Sequence, residues 1–437
     1  MKDVLIQKIE EKSLRCAVVG LGYVGLPLAV EMARAGYRTL GIDVMKEKVD
    51  LVSQGKNYIK DVADEDLSRL VSEGRLEATT DFARVSEMDF IAICVPTPLD
   101  QHEVPDISYV KSSTQSIAPY LTATSMVVLE STTYPGTTEE LLLPILEQAS
   151  GLRCGKDFYL GFSPERVDPG NAQYHTKNTP KVVGGVGEEA TETIAAFYRS
   201  FLEGGVHTVS SPAVAEMEKL LENTYRNINI GLVNELAMLC HRMGISIWEV
   251  VDAAKTKPYG FQAFYPGPGL GGHCIPLDPA YLAWKAKEYA FHTTLIDTSM
   301  TVNDQMPAYT VDRVAGLLNR QSKAVQGAKV LLLGVAYKND IDDYRESPAI
   351  PVYRLLEERG AVVSFYDPYI PSFRDKKGEV QGLKELDAQT LEACDVVVIT
   401  TGHKAFDYAF LCDHAQAIFD SRNAVPKELA KDHVEYL

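Results

Sequence analysis

A cysteine, Cys274, follows Gly267-Pro268-Gly269-Leu270-Gly271-Gly272-His273 and precedes Ile275-Pro276-Leu277-Asp278-Pro279. Glycines at this density cost conformational entropy and add no packing, so they suit a segment that must pass close to something, such as a ligand. A thiol held there has the chemistry to attack a bound carbonyl, because sulfur is a strong nucleophile even when only partly ionised. The plainer reading is a glycine-rich turn before a helix, with an inert cysteine. This stretch does not separate the two. Further residues with chemistry lie elsewhere: Lys219 and Asn223 are four apart and share one face of a helix expected from Pro212 to Met243, with Glu216 and Asn227 on roughly the same line. Such a stripe is either solvated or turned toward a site. Glu165 and Arg166, in the proline-bounded loop from Ser163 to Gly170, are either site residues or a surface ion pair worth little.

A second motif is more specific. Leu14 to Val19 reads as a buried strand, running into Gly20-Leu21-Gly22-Tyr23-Val24-Gly25 and then a helical stretch from Leu26 to Ala35. This is the G-x-G-x-x-G pattern in its strand–turn–helix setting. Gly20 permits the tight turn, Gly22 admits a pyrophosphate to the backbone, and Gly25 lets helix and strand pack closely. The next strand ends in Asp43, an acid placed to accept hydrogen bonds from an unphosphorylated ribose, which favours NAD over NADP. Pro96-Thr97-Pro98 and Ser131-Thr132-Thr133-Tyr134-Pro135-Gly136-Thr137 follow further strands, at the carboxyl ends where such sheets bind ligands. The hydroxyls of the second segment either cap the helix that starts at Thr138 or line the nicotinamide side of the cleft.

The elements needed to position these groups are legible as a rhythm. Strands and helices alternate to about residue 210, a helical stretch follows, and a second alternation begins at Ala328-Lys329-Val330-Leu331-Leu332-Leu333. The expected fold is α/β: two doubly wound Rossmann-like domains joined by a central helical domain with a long helix. The expected domains are 1–210 for NAD binding, 211–322 for the cysteine and self-association, and 323–437 for a second α/β unit with a different ligand. The last has no G-x-G-x-x-G, so a second NAD is not expected there; Lys338 and Arg345 near strand ends suit a phosphate or are ordinary surface cations.

Composition narrows the class. The 437 residues carry a formal charge of −17, which argues against a nucleic-acid or anionic-membrane binder but leaves room for a small anion at local lysines and helix N-termini. Seven cysteines are scattered without paired short spacings, the pattern of neither a disulfide framework nor a zinc cluster, and it fits a reducing compartment. Cys240-His241 and His273-Cys274 are adjacent pairs, which point apart on a helix, so no metal is expected. No apolar run reaches membrane-spanning length, and Met1 to Lys12 lacks the apolar core of a signal peptide, so no membrane association and a cytoplasmic location are expected.

Taken with Cys-Val-Pro-Thr-Pro at 94–98, Ser-Pro-Glu-Arg at 163–166 and Glu-Met-Glu-Lys-Leu-Leu-Glu-Asn-Thr-Tyr-Arg at 216–226, the cysteine stretch resembles the UDP-glucose/GDP-mannose dehydrogenase family, the nucleotide-sugar 6-dehydrogenases, along essentially the whole chain. The resemblance implies NAD-dependent, four-electron oxidation of a sugar C6 hydroxymethyl to a carboxylate through a cysteine thiohemiacetal and thioester. It puts the family's thiol on Cys274, its helix lysine and asparagine on Lys219 and Asn223, its aspartate on Asp278, its threonine on Thr132 and its loop acid on Glu165. For the cofactor it implies Gly20, Gly22, Tyr23, Val24, Gly25, Asp43 and Lys48, with Pro96, Thr97, Ser131 and Thr132 from the later turns. For the UDP-sugar it implies Glu165, Arg166 and Val167, Lys219 and Asn223, Tyr265 and Gly271, and Tyr337, Lys338 and Arg422 from the last domain.

UDP-glucose dehydrogenases tend to carry a second glutamate four positions after the first, where this chain has Pro169. That departure, and the wording of Tyr265 to Pro276, resemble the branch acting on UDP-N-acetylhexosamines. UDP-N-acetylglucosamine is the expected substrate; UDP-N-acetylgalactosamine, UDP-N-acetylmannosamine and UDP-glucose stand as alternatives, and a non-catalytic NAD sensor as a remote one. The resemblance also implies a homodimer or larger assembly through the middle helices.

Overall fold

The computed structural model describes the chain except residues 60–61, 101, 103, 167–170, 172 and 273. It comprises two compact units: Met1–Glu222 with Ala280–Tyr289, and Asn223–Pro279 with Ala290–Leu437.

The first unit is built on an eight-stranded sheet. Its strands are β1 (Arg15–Val19), β2 (Arg38–Ile42), β3 (Leu76–Thr79), β4 (Phe90–Ile93), β5 (Ser125–Leu129), β6 (Phe158–Phe162), β7 (Lys181–Gly185) and β8 (Val206–Val209), in the order β3-β2-β1-β4-β5-β6-β7-β8. Every pairing is parallel except β6 with β7. Strands covered by helices on both faces must be apolar throughout, and all residues of β4, β5 and β6 are buried. β3 is an edge strand in which only Leu76 is buried, so its sequence pattern is weak. The charged N-terminus forms a helix, Lys2–Glu10, because Leu5 and Ile9 fall on one face and are buried with Phe197 and Phe201. Burial of those two side chains is worth about 1.5–3 kcal/mol each.

The helix Asp278–Ala286 sends its Ala280 to Ala286 part into this unit, where it holds the loops after β4 and β5. Tyr281 Oη donates to Thr97 O at 2.8 Å, Trp284 packs on Tyr134 with ring centroids 5.0 Å apart, and buried Lys285 donates to Glu140 Oε2 at 2.7 Å.

The second unit contains a five-stranded parallel sheet of β9 (Lys329–Leu333), β10 (Val362–Tyr366), β13 (Val396–Ile399), β14 (Ile418–Asp420) and β15 (Val434–Tyr436), in the order β10-β9-β13-β14-β15; β11 (Ser372–Asp375) and β12 (Gly378–Gln381) form a separate hairpin. The helix Thr294–Arg320 packs Met306, Val314 and Leu318 into one core with Val330, Leu332 and Val398. The long helix Pro212–Met243, expected from its periodicity, begins in the first unit and continues in the second. A mainly parallel sheet in the first unit and a parallel one in the second, each with crossover helices, and helices between them in the sequence, make the fold the expected α/β one.

Candidate active site

The three glycines after β1 do different work. Gly20 has φ +95° and donates its N–H to Ile42 O at 2.7 Å, and a Cβ on it would sit 2.5 Å from Cys94 O. A Cβ on Gly25 would lie 1.8 Å from Gly20 O, so the helix Gly25–Arg34 can start against the turn only without a side chain there. Gly22 faces open space, with nothing within 4 Å of a Cβ position. That open approach to a helix N-terminus fits a pyrophosphate. Asp43, 6% exposed, accepts the Leu21 N–H on Oδ2 and the Met45 N–H on Oδ1, both at 2.8 Å. It therefore pins the glycine turn to the end of β2, while its remaining lone pairs suit ribose hydroxyls. Lys48 Nζ lies 3.6 Å from Asp43 Oδ2. Tyr23 and Pro96 are exposed; Val24 and Thr97 are half-buried beside them in sequence. Ser131 Oγ donates to Val95 O at 2.7 Å, and the Thr133 and Thr137 hydroxyls bond each other at 2.7 Å. Between these committed hydroxyls Thr132 is half-buried.

Glu216 caps the turn after β5: its carboxylate accepts the Gly136 N–H at 2.6 Å, the Thr138 N–H at 2.9 Å and the Thr138 hydroxyl at 2.7 Å. Part of the polar stripe on the long helix is thus structural. Lys219, one turn further on, is buried. Glu165 and Arg166 each have their own partners. Glu165 Oε1 accepts the Arg166 backbone N–H at 2.8 Å, and Oε2 lies 3.9 Å from Lys181 Nζ. The Arg166 guanidinium instead pairs with Glu222, stands 3.5 Å from Glu218 and donates to Pro180 O at 3.0 Å. Burial, then the hydrogen bond and charge of Glu222, push the Glu218 carboxyl up to about 7. Val167 lies outside the described residues.

In the second unit, Leu277 N–H and Asp278 N–H both donate to Cys274 O, at 3.1 and 2.9 Å, so the chain turns directly from the thiol into the helix Asp278–Ala286. Cys274 is exposed; Asp278 is buried, and its Oδ2 accepts from Asn223 Nδ2 at 2.5 Å. Both ends of the loop are held by buried amides of the long helix. Asn234 Oδ1 accepts the Gly267 N–H at 3.0 Å, and Asn227 Nδ2 donates to Ile275 O at 3.2 Å. Behind them, Asn303 Oδ1 accepts from Asn234 Nδ2 at 2.9 Å and Ser299 Oγ donates to Asn227 Oδ1 at 2.9 Å. Replacing Asn234 with alanine strands the Gly267 N–H and the Asn303 carbonyl. The cost should be about 1–3 kcal/mol, read as a lower urea midpoint, and Cys274 should be alkylated by iodoacetamide faster than in the wild type.

The glycines of this loop give way to the protein itself. A Cβ on Gly267 would meet the Arg422 guanidinium at 2.4 Å, and one on Gly269 Pro348 at 3.0 Å. On Gly271 it would meet Tyr337 Cβ at 2.8 Å, and on Gly272 the Tyr337 ring at 3.0 Å. The close approach expected for a ligand is thus taken, at these four positions, by side chains of the second unit's α/β part. The same packing sets Tyr337 against Gly271 and Arg422 against Gly267, so three residues anticipated for the substrate, Gly271, Tyr337 and Arg422, all adjoin this loop. Arg422 Nε donates to Thr400 O at 2.9 Å, and burial draws its guanidinium down to about 10, which leaves it a cation at neutral pH. Lys338 follows Tyr337 on the turn after β9, whose Val335 and Ala336 N–H groups bond Asp367 Oδ2. Tyr265 stacks on Trp248 with ring centroids 6.0 Å apart and places its hydroxyl 3.2 Å from Asp252 Oδ1. No group of three or more potential metal-ligating side chains occurs among the described residues, and no helix among them is long and apolar enough to cross a membrane.

Three parts of the chain match models of one family, the UDP-glucose/GDP-mannose dehydrogenases: its NAD binding domain over 14–202, its central domain over 213–305 and its UDP binding domain over 331–427. The UDP-N-acetyl-D-glucosamine 6-dehydrogenase of Pseudomonas aeruginosa is 37% identical over 396 residues, covering 90% of this chain and 92% of that one. The UDP-N-acetyl-D-mannosamine dehydrogenase of Pyrococcus horikoshii is 35% identical over 394 residues, covering 90% of each. A solved structure of the UDP-D-ManNAc dehydrogenase from Pyrococcus horikoshii superposes with a TM-score of 0.88 at 32% identity, covering 97% of this chain and 99% of that one. The chain therefore belongs to the UDP-glucose/GDP-mannose dehydrogenase family, as an NAD-using nucleotide-sugar 6-dehydrogenase.

Proposed function

We propose that this chain oxidises the C6 hydroxymethyl group of UDP-N-acetylglucosamine to the carboxylate through a thioester on Cys274. The observation that carries the reading is an exposed thiol at the head of a helix whose first residue, Asp278, is fixed by Asn223. In this reading residues 1–210 hold NAD, 211–322 supply the thiol and the self-association surface, and 323–437 hold the UDP. Bound NAD supplies the hydride acceptor for each of two successive oxidations.

A simple alcohol oxidation has no use for a thiol. A four-electron oxidation has a use for one, because sulfur addition turns the aldehyde carbon into a tetrahedral centre that still bears a hydrogen. Water takes the hydroxyl proton when the aldehyde forms and then the Cys274 thiol proton, as Sγ adds to the aldehyde carbon, a C–S bond forms, and the carbonyl electron pair moves onto oxygen. The Lys219 ammonium and the Asn223 amide stabilise that oxygen. Once the carbon has reached the thioester level, a water oxygen adds to it, the C–S bond breaks, and sulfur leaves with the electron pair. Asp278 receives the proton of the water, while Thr132 and Glu165 orient it. Arg422 and Lys338 supply cations for the diphosphate, with Tyr265, Gly271, Tyr337 and Arg166 around the rest of the substrate.

The long helix presents Leu232, Leu236, Leu239 and Met243 at helical spacing, between 37% and 60% exposed. A second copy of this chain would cover that apolar face, which supports a homodimer. We place the enzyme in the cytoplasm, whose reducing conditions keep Cys274 a thiol. Relatives named for N-acetylglucosamine and N-acetylmannosamine substrates share similar identity with this chain. The test is NAD reduction with a panel of UDP-N-acetylglucosamine, UDP-N-acetylgalactosamine, UDP-N-acetylmannosamine, UDP-glucose and GDP-mannose. UDP-N-acetylglucosamine should give the highest kcat/KM with two NADH per uronate; a preference for another sugar corrects the substrate, and one NADH per sugar removes the four-electron reaction.

A further inference from the structure

Lys181 is a lysine in a buried strand, and the mechanism above has no use for it. It opens β7 with its side chain almost wholly buried, where an unpaired ammonium would be untenable. Its Nζ donates to Glu130 Oε2 at 2.5 Å, lies 3.4 Å from Pro164 O and stands 3.9 Å from Glu165 Oε2. Glu130 is itself fully buried and accepts a second hydrogen bond, on Oε1, from Tyr198 Oη. Nζ also sits 5.2 Å above the Tyr198 ring. Glu130 and Tyr198 thus form a rigid base, at the end of β5 and on the helix Glu188–Arg199, that fixes where the ammonium points. The ammonium in turn touches the loop after β6 twice, at the Pro164 carbonyl and at the Glu165 carboxylate.

A buried ion pair is a poor device for stability alone, since the desolvation of both charges offsets most of their attraction. Glu130 and Lys181 already satisfy each other; a contact with a third, half-buried carboxylate adds nothing that packing needs. With the Arg166 N–H already on Oε1, it holds the Glu165 carboxylate from a second side, at Oε2. We propose that Lys181, anchored by Glu130, is a positioning residue that holds Glu165 in place for the hydrolytic half of the reaction. This rests on the assignment of Glu165 to orienting the water that attacks the thioester. The bonds made and broken are those already described; Lys181 keeps its proton throughout.

The test uses the full-length chain with NAD and the UDP-sugar that turns over best in the panel, comparing K181M, K181R, E165Q and K181M/E165Q. In K181M the first turnover should release two NADH per subunit at close to the wild-type rate, after which the steady state falls on the order of 10–100-fold, as for a misplaced catalytic group. Intact-mass spectrometry should then find the sugar nucleotide bound to Cys274. K181R should recover most of the steady-state rate, and the double variant should be no slower than E165Q. An unchanged steady state in K181M, a first turnover that falls in step with it, or multiplicative losses in the double variant would each overturn the proposal. If K181M does not fold, Lys181→Gln is read by the same criteria. An E165Q enzyme with no adduct on Cys274 removes the hydrolytic role of Glu165 and this proposal with it, whereas covalent chemistry as such is judged by variants of Cys274.

Discussion

Replacing Cys274 with alanine should abolish uronate formation, by about a thousandfold or more, while NAD binds as before. The size follows from what is deleted: a nucleophile whose loss removes a covalent route altogether, leaving only binding and electrostatic help. The specificity follows from the geometry. The side chain is exposed, and the loop is held through main-chain groups that alanine keeps: Cys274 O with the N–H groups of Leu277 and Asp278, Ile275 O with Asn227, and Gly267 N with Asn234. The glycine turn and Asp43 that fit the cofactor belong to the other compact unit and are left intact. The measurement is uronate by chromatography and mass spectrometry beside NADH by absorbance, with the NAD dissociation constant as the control. No more than one NADH per sugar should appear, because the aldehyde is then the last product available. Uronate at the wild-type rate would end the covalent reading.

What the sequence made legible was local. The turn after β1 could be read because its strand, glycines, helix and acid lie within thirty residues or so of one another, and each glycine's reason is stated by its neighbours. The cysteine loop was harder for the opposite reason. Its glycine density signalled a close approach, but the partners are Tyr337, Pro348 and Arg422, far along the chain, and nothing in the loop itself names them. Asn227 and Asn234 showed the same limit from another side. Helical spacing places them in a stripe with Asn223, yet only the fold reveals that they grip the two ends of the loop that carries the thiol. Lys181 carried a faint signal, a lysine opening an otherwise apolar strand, but its meaning depends on Glu130 and Glu165, which reach it from other strand ends. The short edge strands β3 and β15 were missed because half-exposed edges have little hydrophobic pattern to show.

Asp278→Asn should fail in the way opposite to the cysteine variant. Asn223 Nδ2 now donates to Asp278 Oδ2 at 2.5 Å, and an amide oxygen at the same place can still accept that bond, so the substitution keeps the contact that fixes Asn223. The backbone bond from residue 278 to Cys274 O does not depend on the side chain at all. What is lost is the basic oxygen. Addition of the thiol and both oxidations need no proton acceptor at this position, so the enzyme should form its thioester normally and release two NADH per subunit. Hydrolysis should then slow on the order of 10²–10⁴-fold, the usual contribution of a positioned general base. Intact-mass spectrometry should find the uronyl adduct on Cys274, and added hydroxylamine should discharge it, since a thioester is open to an amine nucleophile without Asp278. Cysteine loss therefore gives at most one NADH and no adduct, and aspartate loss gives two NADH and a trapped one. A D278N enzyme that stalls before the second NADH would place Asp278 in the oxidations rather than in hydrolysis, and the order of events proposed around this loop would have to be rewritten.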